Sequence, residues 1–208
     1  MMSTDPDQNL YALPEHFINV ASDYHAEPLF QFQSSAHVQW LNTIILDVLD
    51  LKRDHILTDV GCGSGIDSLL FLNKMNNDIK IIGCDASSST IEIFKSEIRK
   101  RNLINIVQTF CTNAVTFSQQ KQLPAYNRLL LKHCVHLLSH NERLLAFKGF
   151  RQHSDDNKFI IVTRTPKEIF PLDKSTNELR MSILPSIDNY VQELEMSGFK
   201  KYLVSYIS

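Results

Sequence analysis

Apolar residues along this chain come in two patterns, short continuous runs and stretches where they recur every three or four positions. The runs cover residues 56–60, 80–85, 105–110, 126–132, 158–163 and 201–207. Runs of that length, bounded by polar or glycine residues, predict strands buried on both faces. Between them, Ile66, Leu69, Leu70 and Met75 follow a helical period, as do Ile91, Phe94 and Ile98, and then Leu144, Leu145 and Phe147. Ile187, Val191 and Leu194 mark a last helix over residues 186–198, which Gly198 ends. Ser89 with Glu92, and Ser139 with Glu142, are spaced as capping boxes, with the serine as N-cap. Ahead of the first strand, Val38, Leu41, Ile44, Ile45 and Val48 form an apolar stripe for a helix docked on the sheet, and Trp40 reads as a packing residue.

Strands alternating with helices at this spacing predict an α/β fold. Its expected form is a three-layer sandwich around a mostly parallel, doubly wound sheet. The chain divides into a helical cap segment, 1–50, and a main domain, 51–208. The first residues, Asp5 to Asn9, are polar and are expected to fray. A length of 208 residues with 43% hydrophobic content suffices for one sizeable core.

Chemistry concentrates after the first strand. The chain has six glycines, and three of them, Gly61, Gly63 and Gly65, lie in one loop with Cys62 and Ser64. Strand, glycine turn, helix lets backbone amides approach a ligand at a helix N-terminus. A dinucleotide fingerprint needs a small residue where Ile66 stands, and a phosphate-binding P-loop needs glycine there followed by lysine, so neither fits. Asp85 ends the second run at about the 20-residue distance from Gly61 at which nucleoside-binding sheets place a ribose-binding carboxylate.

The pattern D-x-G-x-G-x-G, with Asp59 in front and Asp85 beyond, resembles the class I S-adenosylmethionine-dependent methyltransferases. The resemblance covers about residues 52–208. It implies a Rossmann-like fold, S-adenosyl-L-methionine as cofactor and S-adenosyl-L-homocysteine as product, with no metal expected. It implies that Asp59 and the loop Gly61, Cys62, Gly63, Ser64 and Gly65 serve the methionine end, and that Asp85, followed by Ala86, holds the ribose. Asn113, followed by Ala114, takes the adenine-binding position, although an asparagine in a turn has a structural explanation too. Lys132, at the end of the fourth strand, meets the cofactor through its backbone, since an ammonium beside a sulfonium is unfavourable unless directed away. Tyr24, in the aromatic-rich cap, either faces the methionine end or anchors the cap by packing.

His133 and His136 follow the fourth strand, where such enzymes place substrate-facing residues, and are the catalytic candidates beside an ordinary packing role. The family has an acidic residue near the start of this strand, where this chain has Asn127. The family sheet has seven strands and six are countable here, so the expected sheet lacks its last strand. An exposed edge of that kind favours a homodimer.

Composition narrows the acceptor. A net charge of −2 and a pI near 6.4 leave no footprint for nucleic acid. Amino methyltransferases acting on nucleic acids carry Asp/Asn/Ser-Pro-Pro-Tyr/Phe after the fourth strand, where this chain reads Lys132-His133-Cys134-Val135. A small-molecule acceptor is the expectation. A catalytically degenerate cofactor-binding partner or regulator is the alternative, and Ile66 argues against an oxidoreductase. No run is long enough to span a bilayer. Four cysteines without metal spacing are expected as free thiols in a reducing, cytoplasmic compartment.

Overall fold

A computed structural model describes residues 35–121, 123, 125–153, 158–163 and 185–200. Its strands are β1 (Ile56–Val60), β2 (Lys80–Asp85), β3 (Val107–Cys111), β4 (Arg128–Lys132) and β5 (Lys158–Val162). All pair in parallel, in the order β3-β2-β1-β4-β5. The chain leaves β1 toward β2 and β3, then returns to the other side of β1 for β4 and β5. The direction therefore switches between β1 and β4, the place where open α/β sheets bind ligands.

A parallel sheet must be covered on both faces, because each strand is apolar in both directions. Leu57, Ile81 and Leu130 face one core with α1 (Ser35–Leu49), α2 (Ile66–Lys74) and α3 (Ser88–Lys100). Val60, Ile82, Cys84, Leu129 and Leu131 face the other, with α4 (Ala114–Ser118), α5 (His140–Gln152) and α6 (Ile187–Met196). This is the three-layer, doubly wound α/β arrangement expected from the alternating runs.

Several details differ from the pattern-based expectation. The N-cap of α3 is Ser87, whose Oγ accepts from the Thr90 amide at 3.4 Å; Ser89 lies inside the first turn, and Glu92 pairs with Lys95 at 2.8 Å. Three consecutive serines offered three starts, and the earliest wins because the Ser87 amide is needed by Asp85. The capping box of α5 forms as read, from Ser139 and Glu142. On α1 the buried line is Leu41, Ile45 and Leu49, so Val48 is 49% and Trp40 44% exposed rather than packed inside. Ile66, expected on the inner face of α2, is 55% exposed. On α6 the most buried side chains are Tyr190 and Glu193 rather than Val191 and Leu194. The sixth run, 201–207, the loop 154–157 and residues 1–34 of the segment expected as a cap, Tyr24 included, lie outside the described residues.

The end of the sheet opposite the switch point is pinned by side chains. Asn127 Oδ1 accepts from the Ile56 amide at 2.8 Å, and the Asn127 amide donates to the Ile56 carbonyl at 3.0 Å. Arg128 is buried and donates through Nε to the Leu49 carbonyl and through Nη2 to the Asp50 carbonyl at 3.2 Å. A cation on the last carbonyls of α1 complements the helix dipole. The departure at Asn127 thus serves β1–β4 register at the far end from the glycine loop.

Candidate functional site

From Val60 the chain turns through Gly61–Gly65 into α2. The Gly61 and Cys62 amides both donate to the Cys84 carbonyl on β2, at 2.7 and 3.1 Å, and the Gly65 amide donates to the Cys62 carbonyl at 2.9 Å. Ser64 is half-buried in the same turn. All three glycines have left-handed backbone, with φ of 75° at Gly61, 54° at Gly63 and 77° at Gly65. Two of them also answer to packing. A Cβ on Gly61 would lie 2.5 Å from that of Cys134, and one on Gly65 would lie 2.2 Å from the Phe94 ring. A Cβ on Gly63 would meet nothing within 4 Å. The chain is therefore bare, and open to an incoming molecule, at Gly63.

Beside that opening stands Asp85. Its Oδ2 accepts from the Gly63 amide at 2.8 Å, and its Oδ1 accepts from the Ser87 amide at 2.8 Å and from Thr90 Oγ1 at 3.4 Å. Burial raises its pKa, and the hydrogen bonds from Ser87, Gly63 and Thr90 oppose the rise. A carboxylate has about four acceptor positions. Three donors fix this one in place and leave capacity for a ligand hydroxyl. These features fit a nucleoside, with a bare main-chain turn and an aligned carboxylate side by side.

Asp59, on β1, is 3% exposed, and its Oδ2 accepts from Ser68 Oγ at 2.6 Å. Burial pushes its carboxyl up to about 7; the Ser68 hydrogen bond and Lys132 pull it down, while Asp67 and Asp85 push it further up. Such a group is poised to ionise when a cation arrives.

Lys132 closes β4 on the same face of the sheet. Its Nζ donates to Asp67 Oδ2 at 2.9 Å and to Asn42 Oδ1 at 3.2 Å, and Asn42 Nδ2 donates to Asp67 Oδ1 at 3.1 Å. The ammonium is thus engaged between α1 and α2.

The segment after β4 is held close to the glycine turn. Cys134 Sγ donates to the Val60 carbonyl at 3.1 Å, and the His133 amide donates to the Val162 carbonyl of β5 at 2.7 Å. His133 has a φ of 55°, an uncommon backbone for a histidine. A short 3-10 turn, Val135–Leu137, carries His136. His136 Nδ1 lies 3.4 Å from Thr163 Oγ1, which lies 3.3 Å from the Tyr190 hydroxyl. The Arg143 guanidinium sits over the Tyr190 ring and donates to both Glu193 oxygens at 2.7 Å. His140 belongs to α5 and pairs with Glu193 at 2.7 Å.

Asn113 is exposed and is the N-cap of α4, its Oδ1 accepting from the Thr116 amide at 2.8 Å. Ala114, partly buried, opens that helix, and Ala86 is exposed beyond Asp85. Pattern reading missed Ser68, Asp67, Asn42, Thr163 and Tyr190. The available signal was polar residues in the opening turn of α2 and on the inner face of α1. Among the described residues, no group of three or more His, Cys, Asp or Glu side chains is placed to hold a metal ion, and no helix is long and apolar enough to cross a membrane.

Residues 57–156 match the family model of a methyltransferase domain. Among solved structures, the chain is similar to the mycolic acid cyclopropane synthase CmaA1 in complex with S-adenosylhomocysteine. That match has a TM-score of 0.69 at 16% identity, over 91% of this chain and 75% of that one. Similarity to geranyl diphosphate C-methyltransferase from Streptomyces coelicolor, bound to Mg2+, geranyl diphosphate and S-adenosylhomocysteine, has a TM-score of 0.58 at 15% identity. It covers 77% of this chain and 60% of that one. The 4+2 cyclase SpnF matches with a TM-score of 0.59 at 20% identity, over 76% of this chain and 55% of that one. The chain thus spans little more than half the length of these last two. At such identities the likeness is one of fold. No curated protein is similar to the chain at a significant level.

Proposed function

We propose that residues 57–156, which match the family model of a methyltransferase domain, work as a class I, S-adenosylmethionine-dependent methyltransferase, and that the chain transfers the sulfonium methyl group of that cofactor to a small-molecule acceptor. The observation that carries this reading is the pairing of bare Gly63 with Asp85, whose carboxylate is aligned by the Gly63 and Ser87 amides. When bound, the cofactor supplies an activated methyl group, which leaves the protein the tasks of positioning and of excluding water.

The chain's own residues divide those tasks. Asp85 accepts from the ribose hydroxyls, and the Gly61–Gly65 turn admits the cofactor backbone with Cys62 and Ser64 as its lining. Asp59 takes the methionine amino group as a carboxylate–ammonium partner. Asn113 and Ala114 flank the adenine, with the Asn113 Oδ1 already serving the α4 cap. Lys132 contributes its backbone. Tyr24 is assigned to the cap over the methionine end. His136, held at Nδ1 by Thr163, is positioned to receive a proton from an acceptor that must lose one, and His133 is the neighbouring candidate.

Neighbours named for geranyl diphosphate and phosphoethanolamine substrates support a small-molecule or lipid acceptor rather than nucleic acid. The free cysteines support a cytoplasmic setting, and a homodimer remains part of this reading through a sheet edge. The occurrence of the fold in a protein named as a 4+2 cyclase supports a second reading, a catalytically degenerate cofactor-binding protein that acts as a partner or regulator.

Calorimetric titration of the purified chain with S-adenosylmethionine, S-adenosylhomocysteine and NAD tests the proposal. Micromolar binding of the first two, lost in Asp85→Ala, is the expected result. Binding without turnover on any acceptor pool supports the second reading. Absence of binding by folded protein overturns both.

A further inference from the structure

Lys132 presents a problem for the cofactor reading that the structure also answers. Its side chain is 8% exposed, and it closes β4 one residue past Leu131, which is level with Val60 on β1. A cofactor whose ribose lies at Asp85 on β2 and whose chain crosses the turn after β1 brings its sulfonium toward β4. A lone ammonium there would repel it, and weak solvent screening makes the repulsion stronger than at the surface. Asp67 and Asn42 remove the difficulty. Lys132 donates to both, and Asn42 donates to Asp67, so the three side chains form a closed triangle in which each is bonded to the other two. Asn42 is 2% exposed and cannot leave without opening α1.

We infer that Asp67 is a specificity-determining residue that sets the preference for the charged cofactor over its neutral product, by cancelling the Lys132 charge and, with Asn42, tying it to α1 and α2. The inference rests on the S-adenosylmethionine reading above. Methyl transfer discharges the sulfonium to a thioether, so the two ligands differ by one positive charge and one methyl group. Both carry the amino-acid ammonium and carboxylate, so the triangle's electrostatics act on these alike and differ between the ligands only at the sulfonium. A purely structural role for Asp67 would affect both alike.

The experiment measures dissociation constants for S-adenosylmethionine and S-adenosylhomocysteine, by calorimetry, on the wild-type chain, Asp67→Asn, Lys132→Met and the double variant. Asp67→Asn is expected to weaken the charged ligand about tenfold more than the neutral one. Lys132→Met is expected to shift the ratio the other way, and the double variant to return it near the wild-type value. Equal losses for both ligands in folded Asp67→Asn would overturn the inference. If that variant does not fold, Lys132→Met decides, and an unmoved ratio overturns it. Failure of the wild type to bind either ligand would instead sink the cofactor reading itself, and so is a separate result.

Discussion

The two halves of the candidate site, one at β1–β2 and the other at β4–β5, are built on different principles. At β1–β2 the working parts are main chain: glycine amides, a bare Cα at Gly63, and a carboxylate gripped by two backbone donors. At β4–β5 they are side chains drawn from separate elements, with His136 from a 3-10 turn, Thr163 after β5 and Tyr190 from α6. Main-chain geometry constrains sequence tightly, because few residues tolerate left-handed backbone against a neighbouring ring. Side-chain constellations can be assembled from many sequences. A fold that keeps one ligand while changing the other is well served by this division.

The sharpest way to break the comparison is at the glycines. Gly65→Ala combines a left-handed alanine with a clash against the buried Phe94 ring, and is expected to cost about 3 kcal/mol or more of stability. Gly63→Ala carries the backbone cost alone, about 1–2 kcal/mol, and should stay folded while losing cofactor affinity. Thermal melts with a parallel binding titration separate the two, and equal melting losses would mean that Gly63 is packed after all.

A smaller effect is expected at the other half. His136→Gln should lower kcat roughly a hundredfold on an acceptor that loses a proton, with cofactor affinity unchanged. Single-turnover kinetics on the acceptor found by screening will show this, and an unaltered kcat removes His136 from proton transfer.

The smallest effect is a fraction of a proton. Asp59 titrates near 7 in the folded chain against an ordinary value of 3.8. A raised pKa means that its contribution to stability is fully present below about pH 4 and is lost as pH rises through 7. Ligand-free Asp59→Asn should therefore lose less stability than wild type between these limits. Binding of a cationic ligand favours the ionised form, so at pH 7 the wild type should release about half a proton and Asp59→Asn none. Calorimetry in two buffers of different protonation enthalpy measures this directly, and zero release by the wild type would mean that Asp59 is already ionised.

The same division explains what could be read in advance. The first five strand runs, the glycine turn and the place of Asp85 at the end of β2 were legible because each needs a particular residue type at a fixed spacing. The local rule puts the N-cap of α3 at Ser89 instead of Ser87 because three adjacent serines satisfy it, and a tertiary demand from Asp85 chose among them. The triangle of Asn42, Asp67 and Lys132 was illegible because its members lie 25 and 65 residues apart and none follows a motif. Glu193 was read past for a like reason, since a charge on an inward helical face makes sense only once Arg143 is opposite it. Asn127, a departure from the family pattern near the start of the fourth strand, sits where strands begin, whereas ligands bind where they end.

The thiols carry a practical consequence. Cys62 lies in the glycine turn, Cys134 packs against Gly61, and Cys84 lies on β2 next to Asp85; burial raises the pKa of all three, so thiolate is scarce there at neutral pH. Cys111 alone among the chain's four cysteines is exposed, at the tip of β3, two residues before Asn113. An alkylating dye offered briefly to the native protein will thus land on one position at the rim of the site. The molecule comes with its own attachment point for a fluorophore, and no cysteine need be engineered in or out to watch the cofactor arrive.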